Sequence, residues 1–210
     1  SAASDVYKRQ VQAYCDLSLP AYTSDIVNVG IQQGGIEDKV PAAISEEEWN
    51  KVMLFVSQKD QDTVKDAYEK DESSYDKTAF VLKDFVKEDE TALKKVEDVL
   101  ALPMMVTSGF ESGSKQTQKM EKKLKKQIPK EMLTEDTTVF DILQMMPQES
   151  REELVKEIKK EMKDMPDMIL EQAAVSYARN AYQDLGMDVD QMQYHYLFTT
   201  GGKMLSLIHI

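Results

Sequence analysis

The chain has 210 residues, 38 of them acidic and 26 basic, which gives a formal net charge of −12 at pH 7. This charge argues against nucleic acid as a partner, because neutralising phosphates requires a cationic face. An apolar fraction of 41% with 30% charged residues is typical of a folded chain that can bury one core. The single cysteine, Cys15, excludes an internal disulfide and is interpreted as a packing residue.

The two ends of the chain share a feature of their coding sequence. Residues 5–10, DVYKRQ, can be back-translated as GAT GTG TAT AAG AGA CAG, and residues 205–210, LSLIHI, as CTG TCT CTT ATA CAC ATC. These strings are reverse complements of each other, and they resemble translated sequencing-adapter DNA. We therefore expect residues 1–10 and 205–210 to be adapter artefacts, and residues 11–204 to be native sequence cut at both ends.

Residues 14–36 predict a helix with one apolar face. Apolar side chains recur at spacings of three and four, while polar side chains gather on the opposite side. Pro20 is expected to kink this helix or to begin its regular part, and Gly34-Gly35 is expected to end it. The apolar positions are Cys15, Leu19, Tyr22, Ile26 and Val29.

The residues of this stretch also match a known family. The match comprises Tyr14-Cys15-Asp16-Leu17-Ser18-Leu19-Pro20, Tyr22, Ser24, residues 26–31 and Gly34-Gly35. Together they resemble the outer half of the first transmembrane helix of bacterial ABC-type exporters, in the subgroup with a long extracytoplasmic loop after that helix. Periodicity alone leaves open an amphipathic helix of a soluble domain.

The next region, residues 37–187, predicts an all-α domain. Ser45 precedes three glutamates and is expected to cap a helix over residues 46–56 with Trp49 buried. A second helix is predicted over residues 59–70. Residues 78–82 form a short apolar run that is either a strand or a helical turn, since its periodicity does not separate the two.

A longer helix is predicted over residues 88–107, with an interruption near Pro103. Residues 108–114, rich in glycine and serine, predict a loop. Further helices are expected over residues 151–162 and 167–185, and Gly186 is expected to end the last of them.

A lysine-rich helix is the sharpest local contrast in this acidic chain. Residues 115–130 contain seven lysines and one acidic residue, whereas residues 37–98 contain eighteen carboxylates and ten lysines. We expect these two parts to lie against each other, with Met120, Leu124 and Ile128 as an apolar seam. Contact of the lysines with anionic lipid and a simply solvated helix face are the alternatives.

Residues 188–204 predict a final helix capped by Asp188. Its aromatic side chains Tyr194, Tyr196 and Phe198 fit a membrane-interface belt, and the run resembles the entry to the second transmembrane helix of the same exporters. His195 is interpreted as an interface side chain rather than a catalytic base. No run reaches the roughly 18 to 20 apolar residues that a complete membrane span requires.

The resemblance implies a region of an exporter permease in the plasma membrane. Residues 11–36 would be the outer part of the first membrane helix, residues 37–187 an extracytoplasmic domain, and residues 188–204 the entry to the second helix. The parent chain would bind ATP and Mg²⁺ in a separate motor domain, act as a dimer of transporter subunits and export an unknown substrate.

Candidate functional residues on this interpretation are Asp16, Pro20 and Asp25, as translocation-path or helix-kink residues. An equally open interpretation is that Asp16 and Asp25 simply face water or neighbouring helices. The chain contains no phosphate-binding loop of the GxxxxGK[ST] type, and no catalytic, metal or cofactor site is predicted within it. The alternative function is a secreted or surface-anchored helical interaction domain without a transporter.

Overall fold

The computed structural model describes residues 35–126 and 128–209, leaving aside the side chain of Gln116. The chain divides into two compact units, one of residues 38–186 and the other combining residues 1–37 with residues 187–210. Most described residues are helical, as the sequence predicts. The helix predicted over residues 14–36 lies almost wholly outside the described residues.

A small antiparallel sheet corrects the prediction of an all-α domain. β1 (Ala43–Ser45) and β2 (Tyr68–Asp71) pair with opposite edges of the central strand β3 (Ala79–Leu82). The apolar run whose structure the sequence leaves open is therefore a strand. Strands of three or four residues are too short to display a period of two, so pairing between distant segments decides the structure.

The first helix begins where the first strand ends. α1 (Glu46–Met53) is capped by Ser45, whose Oγ accepts a hydrogen bond from the Glu48 amide at 3.3 Å, as predicted. Trp49 is buried, also as predicted, and its ring stacks on Phe80 of β3 with centroids 4.3 Å apart. The helix ends three residues before the predicted boundary.

The next two helices flank the other two strands. α2 (Gln58–Ala67) passes directly into β2, so the helix predicted over residues 59–70 ends three residues early. α3 (Asp84–Glu88) follows β3 after one residue. Burial of Tyr68 at the start of β2 favours the extended conformation there, because the side chain packs into the core of the unit.

The predicted interruption at Pro103 is wrong, because α4 (Glu90–Ser112) runs through it without a break. A proline inside a helix costs roughly 3 kcal/mol. Val96 and Leu100 before the proline and Val106 and Phe110 after it are all buried, each side chain contributing about 1.5 to 3 kcal/mol. Packing on both sides therefore outweighs the proline, and the loop predicted over residues 108–114 begins only after Ser112.

Four more helices complete the 38–186 unit. They are α5 (Lys115–Lys126), α6 (Val139–Met145), α7 (Gln148–Glu161) and α8 (Asp167–Asp184). A single 3₁₀ turn, Lys130–Met132, lies between α5 and α6. α8 ends close to the predicted boundary, and Gly186 follows it with a φ of 78°, a conformation that glycine adopts without a Cβ clash.

Two clusters of buried apolar side chains form the core of this unit. The first packs α1, α2, the sheet and the N-terminal half of α4 against α8. The second surrounds three phenylalanines, with ring centroids 5.7 Å apart for Phe55 and Phe110 and 6.3 Å apart for Phe110 and Phe140. Because α4 contributes to both clusters, this one helix ties them together.

The beginning of the 38–186 unit is hydrogen-bonded to its last helix. The Tyr182 hydroxyl on α8 donates to Oδ2 of Asp38 at 2.6 Å and accepts from the Ala42 amide at 2.8 Å. The Tyr68 hydroxyl donates to the carbonyl oxygen of Pro41 at 2.7 Å. The two ends of the unit are therefore neighbours in space.

The other unit is described from Gly35 to Glu37 and from Met187 onward. Its helix α9 (Val189–Ile208) is capped as predicted by Asp188, whose Oδ1 accepts a hydrogen bond from the Gln191 amide at 3.0 Å. Among the described residues, no helix combines the length and the apolar character that crossing a bilayer requires.

Candidate functional site

A polar cluster forms around the first turn of α1. Glu48 is half-buried there, and its Oε1 accepts from Lys51 Nζ at 3.3 Å one turn further along the helix. Its other oxygen, Oε2, accepts from the hydroxyl of Tyr177 on α8 at 2.7 Å. The cap at Ser45 helps to hold Glu48 in place, because Ser45 Oγ accepts a hydrogen bond from the Glu48 amide.

Glu111 joins the cluster from the last turn of α4. Burial of its carboxyl, the hydrogen bond with Glu48 and the negative charge of Glu48 raise the pKa of Glu111 to about 7, against an opposing effect of Lys51. Part of the Glu111 side chain remains exposed to solvent. The Glu111 carboxyl can therefore gain or lose a proton near neutral pH, at a position that water can reach.

Two further side chains of the cluster are held in fixed protonation states. Burial and the neighbouring charge of Glu48 raise the pKa of Tyr177, so this hydroxyl remains a donor. Burial disfavours ionisation of Asp184, but hydrogen bonds from Lys77 and Ser45 hold its pKa below the usual range. The Lys77–Asp184 bond measures 2.8 Å. Glu111 is thus the member of this cluster whose charge changes near neutral pH.

Glu111 lies at the wall of a cleft of about 790 Å³. Phe110 and Phe140 from the second core cluster also line it, as do Lys51 and Lys125. The carboxylates around the cleft outnumber these two ammonium groups, so its electrostatic potential favours cations. The carboxylates are Glu47, Glu111, Glu121, Glu135, Asp136 and Asp141.

The chemistry that this arrangement can perform is proton exchange and attraction of positive charge. A carboxyl group with a pKa near 7 can give up or take up a proton at physiological pH. Within residues 35–126 and 128–209, no group of three or more histidine, cysteine, aspartate or glutamate side chains is arranged to hold a metal ion.

The residues predicted as functional lie elsewhere. Asp16, Pro20 and Asp25 fall outside the described residues. His195 is exposed on α9 and lines a separate pocket of about 740 Å³ within the other unit. Sequence reasoning missed Glu111 altogether, because it lies in the middle of the loop predicted over residues 108–114 and far from Glu48 in the chain. The cap at Ser45 was the one available signal, and it located Glu48 but not its partner.

Comparison of the chain with models of protein families, with curated proteins and with solved structures finds no match in any of the three. The resemblance to ABC-type exporters therefore stays a prediction.

Proposed function

We propose that the chain is a region of an ABC-type exporter permease and that residues 38–186 form its extracytoplasmic domain. The proposal starts from two resemblances. Residues 14–35 resemble the first membrane helix of these exporters, and residues 194–204 resemble the entry to the second. In the parent protein, ATP hydrolysis with Mg²⁺ on the cytoplasmic side would drive export, and two such subunits would act together.

The observation that carries the proposal is the closeness of the two ends of the inserted unit. Asp38 at its start is hydrogen-bonded at 2.6 Å to Tyr182, four residues before its last residue. A domain inserted between two neighbouring membrane helices needs this geometry, because the chain must leave one helix and enter the next nearby. A domain whose ends lay on opposite sides would not fit between such helices.

The segments that flank the inserted unit also approach each other. Gly35 has a φ of 77°, and a Cβ at this position would lie 2.6 Å from the Cα of Gln193 on α9. The backbone before the inserted domain therefore touches the helix after it, which only a glycine permits. This contact supports the proposal that the segments before and after the inserted domain are adjacent membrane helices.

The exposed side chains of α9 suit a position at the membrane surface. Tyr194 is 62% exposed and Phe198 is 78% exposed, one turn apart on the same face. Aromatic rings in such positions are typical of the interface between headgroups and hydrocarbon. On this proposal the parent protein lies in the plasma membrane, and Asp16, Pro20 and Asp25 are candidates for its translocation path or helix kink.

The gene that encodes the chain tests the proposal. We expect about 15 or more mostly apolar codons before Val11, a similar run after Met204 and a GxxxxGK[ST] motif further downstream. A polar upstream flank, or a stop codon close to Met204, would overturn the exporter proposal.

The second candidate is a secreted or surface-anchored helical interaction domain. The cleft beside Glu111 favours it, because an acidic groove with aromatic walls suits a basic segment of a partner protein. A gene that ends near Met204 and lacks both apolar flanks would favour this function over export.

A further inference from the structure

Four lysines of α5 form a straight row on one face of the helix. Lys115, Lys119, Lys122 and Lys126 are spaced by four, three and four residues, so they fall within a narrow arc of the helix surface. The row is about 16 Å long at 1.5 Å per residue. All four side chains are exposed.

The opposite face of α5 is fixed to the core. Leu124 is 6% exposed and packs with Met120 into the cluster that contains Phe55 and Phe110. At the other end of the helix, the Thr117 hydroxyl donates to the carbonyl oxygen of Gly109 at 2.8 Å. The lysine row is therefore presented outward by a helix whose orientation is set from within.

The charges in the row are not neutralised within the described structure. None of the four lysines forms an ion pair with a described residue, and the ion pair of α5 found there joins Lys125 to Glu121 on its flank at 3.1 Å. The predicted seam of Met120 and Leu124 does reach Phe55, which belongs to residues 37–98. No ion pair joins α5 to residues 37–98 in the described structure. The apolar contact and the Thr117 hydrogen bond position the helix.

Carboxylates on both sides of the row share grooves with other lysines. Lys123 lies at the edge of the row and shares a groove with Glu153, Glu157 and Glu161 of α7. Lys125 lies on the other side, facing the acidic cleft. An acidic chain with net charge −12 thus leaves one row of positive charge free between two acidic margins.

We infer that the row of Lys115, Lys119, Lys122 and Lys126 is a docking surface for an anionic lipid bilayer. The inference rests on the proposed function for the presence of a membrane next to the domain. Lipid phosphates are individually mobile and can match a short straight row. The acidic margins, in contrast, repel a continuous polyanion such as a nucleic acid. Each lysine near such a surface strengthens binding by roughly fivefold.

Vesicle co-sedimentation of the full chain tests this inference. We expect binding to vesicles that contain phosphatidylglycerol, no binding to pure phosphatidylcholine vesicles, and loss of binding at about 0.5 M salt. Equal binding to both kinds of vesicle would point to the aromatic side chains of α9 and overturn the inference. Absence of binding to the anionic vesicles at low salt would overturn it as well.

Matched variants locate the surface. The variant K115Q/K119Q/K122Q/K126Q should bind anionic vesicles at least about tenfold more weakly. The control K59Q/K65Q/K95Q/K156Q removes the same charge from four exposed lysines elsewhere and should bind within about twofold of the original chain. Replacing the four lysines of the row by arginine should preserve binding. Equal loss in both glutamine variants would show a net-charge effect and overturn the inference.

The vesicle test of the docking surface and the gene test of the exporter proposal can fail independently of each other. Two apolar flanks in the gene together with no vesicle binding would overturn the docking surface alone. Vesicle binding that depends on the row, with a gene lacking those flanks, would overturn the exporter proposal alone. Trp49 fluorescence and circular dichroism confirm that every variant is folded before it is compared.

Discussion

Glu111 is a residue whose charge links folding to pH. Its pKa is raised to about 7 in the folded state, above the ordinary value of about 4.3 in an unfolded chain. Between these values the folded state binds the extra proton, so the free energy of unfolding falls as pH rises from about 4.5 to about 7. The contribution is about 1 kcal/mol, because solvent screens this partly exposed carboxyl.

The variant Glu111→Gln should remove this pH dependence. Glutamine imitates the protonated acid, so the variant should match the original chain near pH 4.5 and exceed its stability by about 1 kcal/mol at pH 8. Urea unfolding followed by Trp49 fluorescence measures the difference. Glu131→Gln, at an exposed position, is the control and should leave the profile unchanged. Parallel profiles for Glu111→Gln and the original chain would contradict a raised pKa of Glu111.

At the scale of elements, the junction between α4 and α5 depends on the absence of a side chain. A Cβ at Gly109 would lie 2.9 Å from Cγ2 of Thr117. Thr117 is buried, and its hydroxyl is held by the carbonyl oxygens of Gly109 at 2.8 Å and Ser114 at 2.9 Å, so its methyl group has little freedom to move. The two helices can approach this closely only with glycine at that position.

We therefore expect Gly109→Ala to destabilise the protein by about 1 to 2 kcal/mol, even though alanine favours a helix over glycine by about 1 kcal/mol. Gly201→Ala in α9 is the matched control, since nothing lies within 4 Å of its added Cβ. That change should raise helix stability by up to about 1 kcal/mol. Thermal unfolding followed by circular dichroism compares the two, and stabilisation by Gly109→Ala would contradict the close packing.

At the scale of the whole molecule, the two core clusters predict where the structure opens first. α4 and α8 pack against each other and against the sheet, whereas α5 buries chiefly Leu124 and Thr117. Local opening needs little free energy where few apolar side chains are buried. Amide hydrogen exchange should thus be slowest in α4 and α8 and clearly faster in α5. Leu124→Ala should accelerate exchange in α5 with little effect on α8, and equal protection of all three helices would contradict this order.

Much of the helical structure follows from local signals in the sequence. Ser45 before three glutamates locates the start of α1, Asp188 locates the start of α9, and Gly186 locates the end of α8. Each signal works within one or two helical turns, because a cap or a left-handed glycine acts on neighbouring backbone groups. The burial of Trp49 follows in the same way from the spacing of apolar residues on one face.

Contacts between distant segments decide the rest. β1 and β2 exist because both pair with β3, and α4 continues through Pro103 because it is packed into both clusters on either side of that residue. The Glu48–Glu111 pair arises in the same way, since it needs the end of α4 to meet the start of α1 and Tyr177 of α8. The sequence by itself determined which segments are helical and which faces are apolar, because those properties depend on nearby residues. Only the tertiary structure decided the short strands, the unbroken helix and the raised pKa of Glu111, because each depends on residues far apart in the chain.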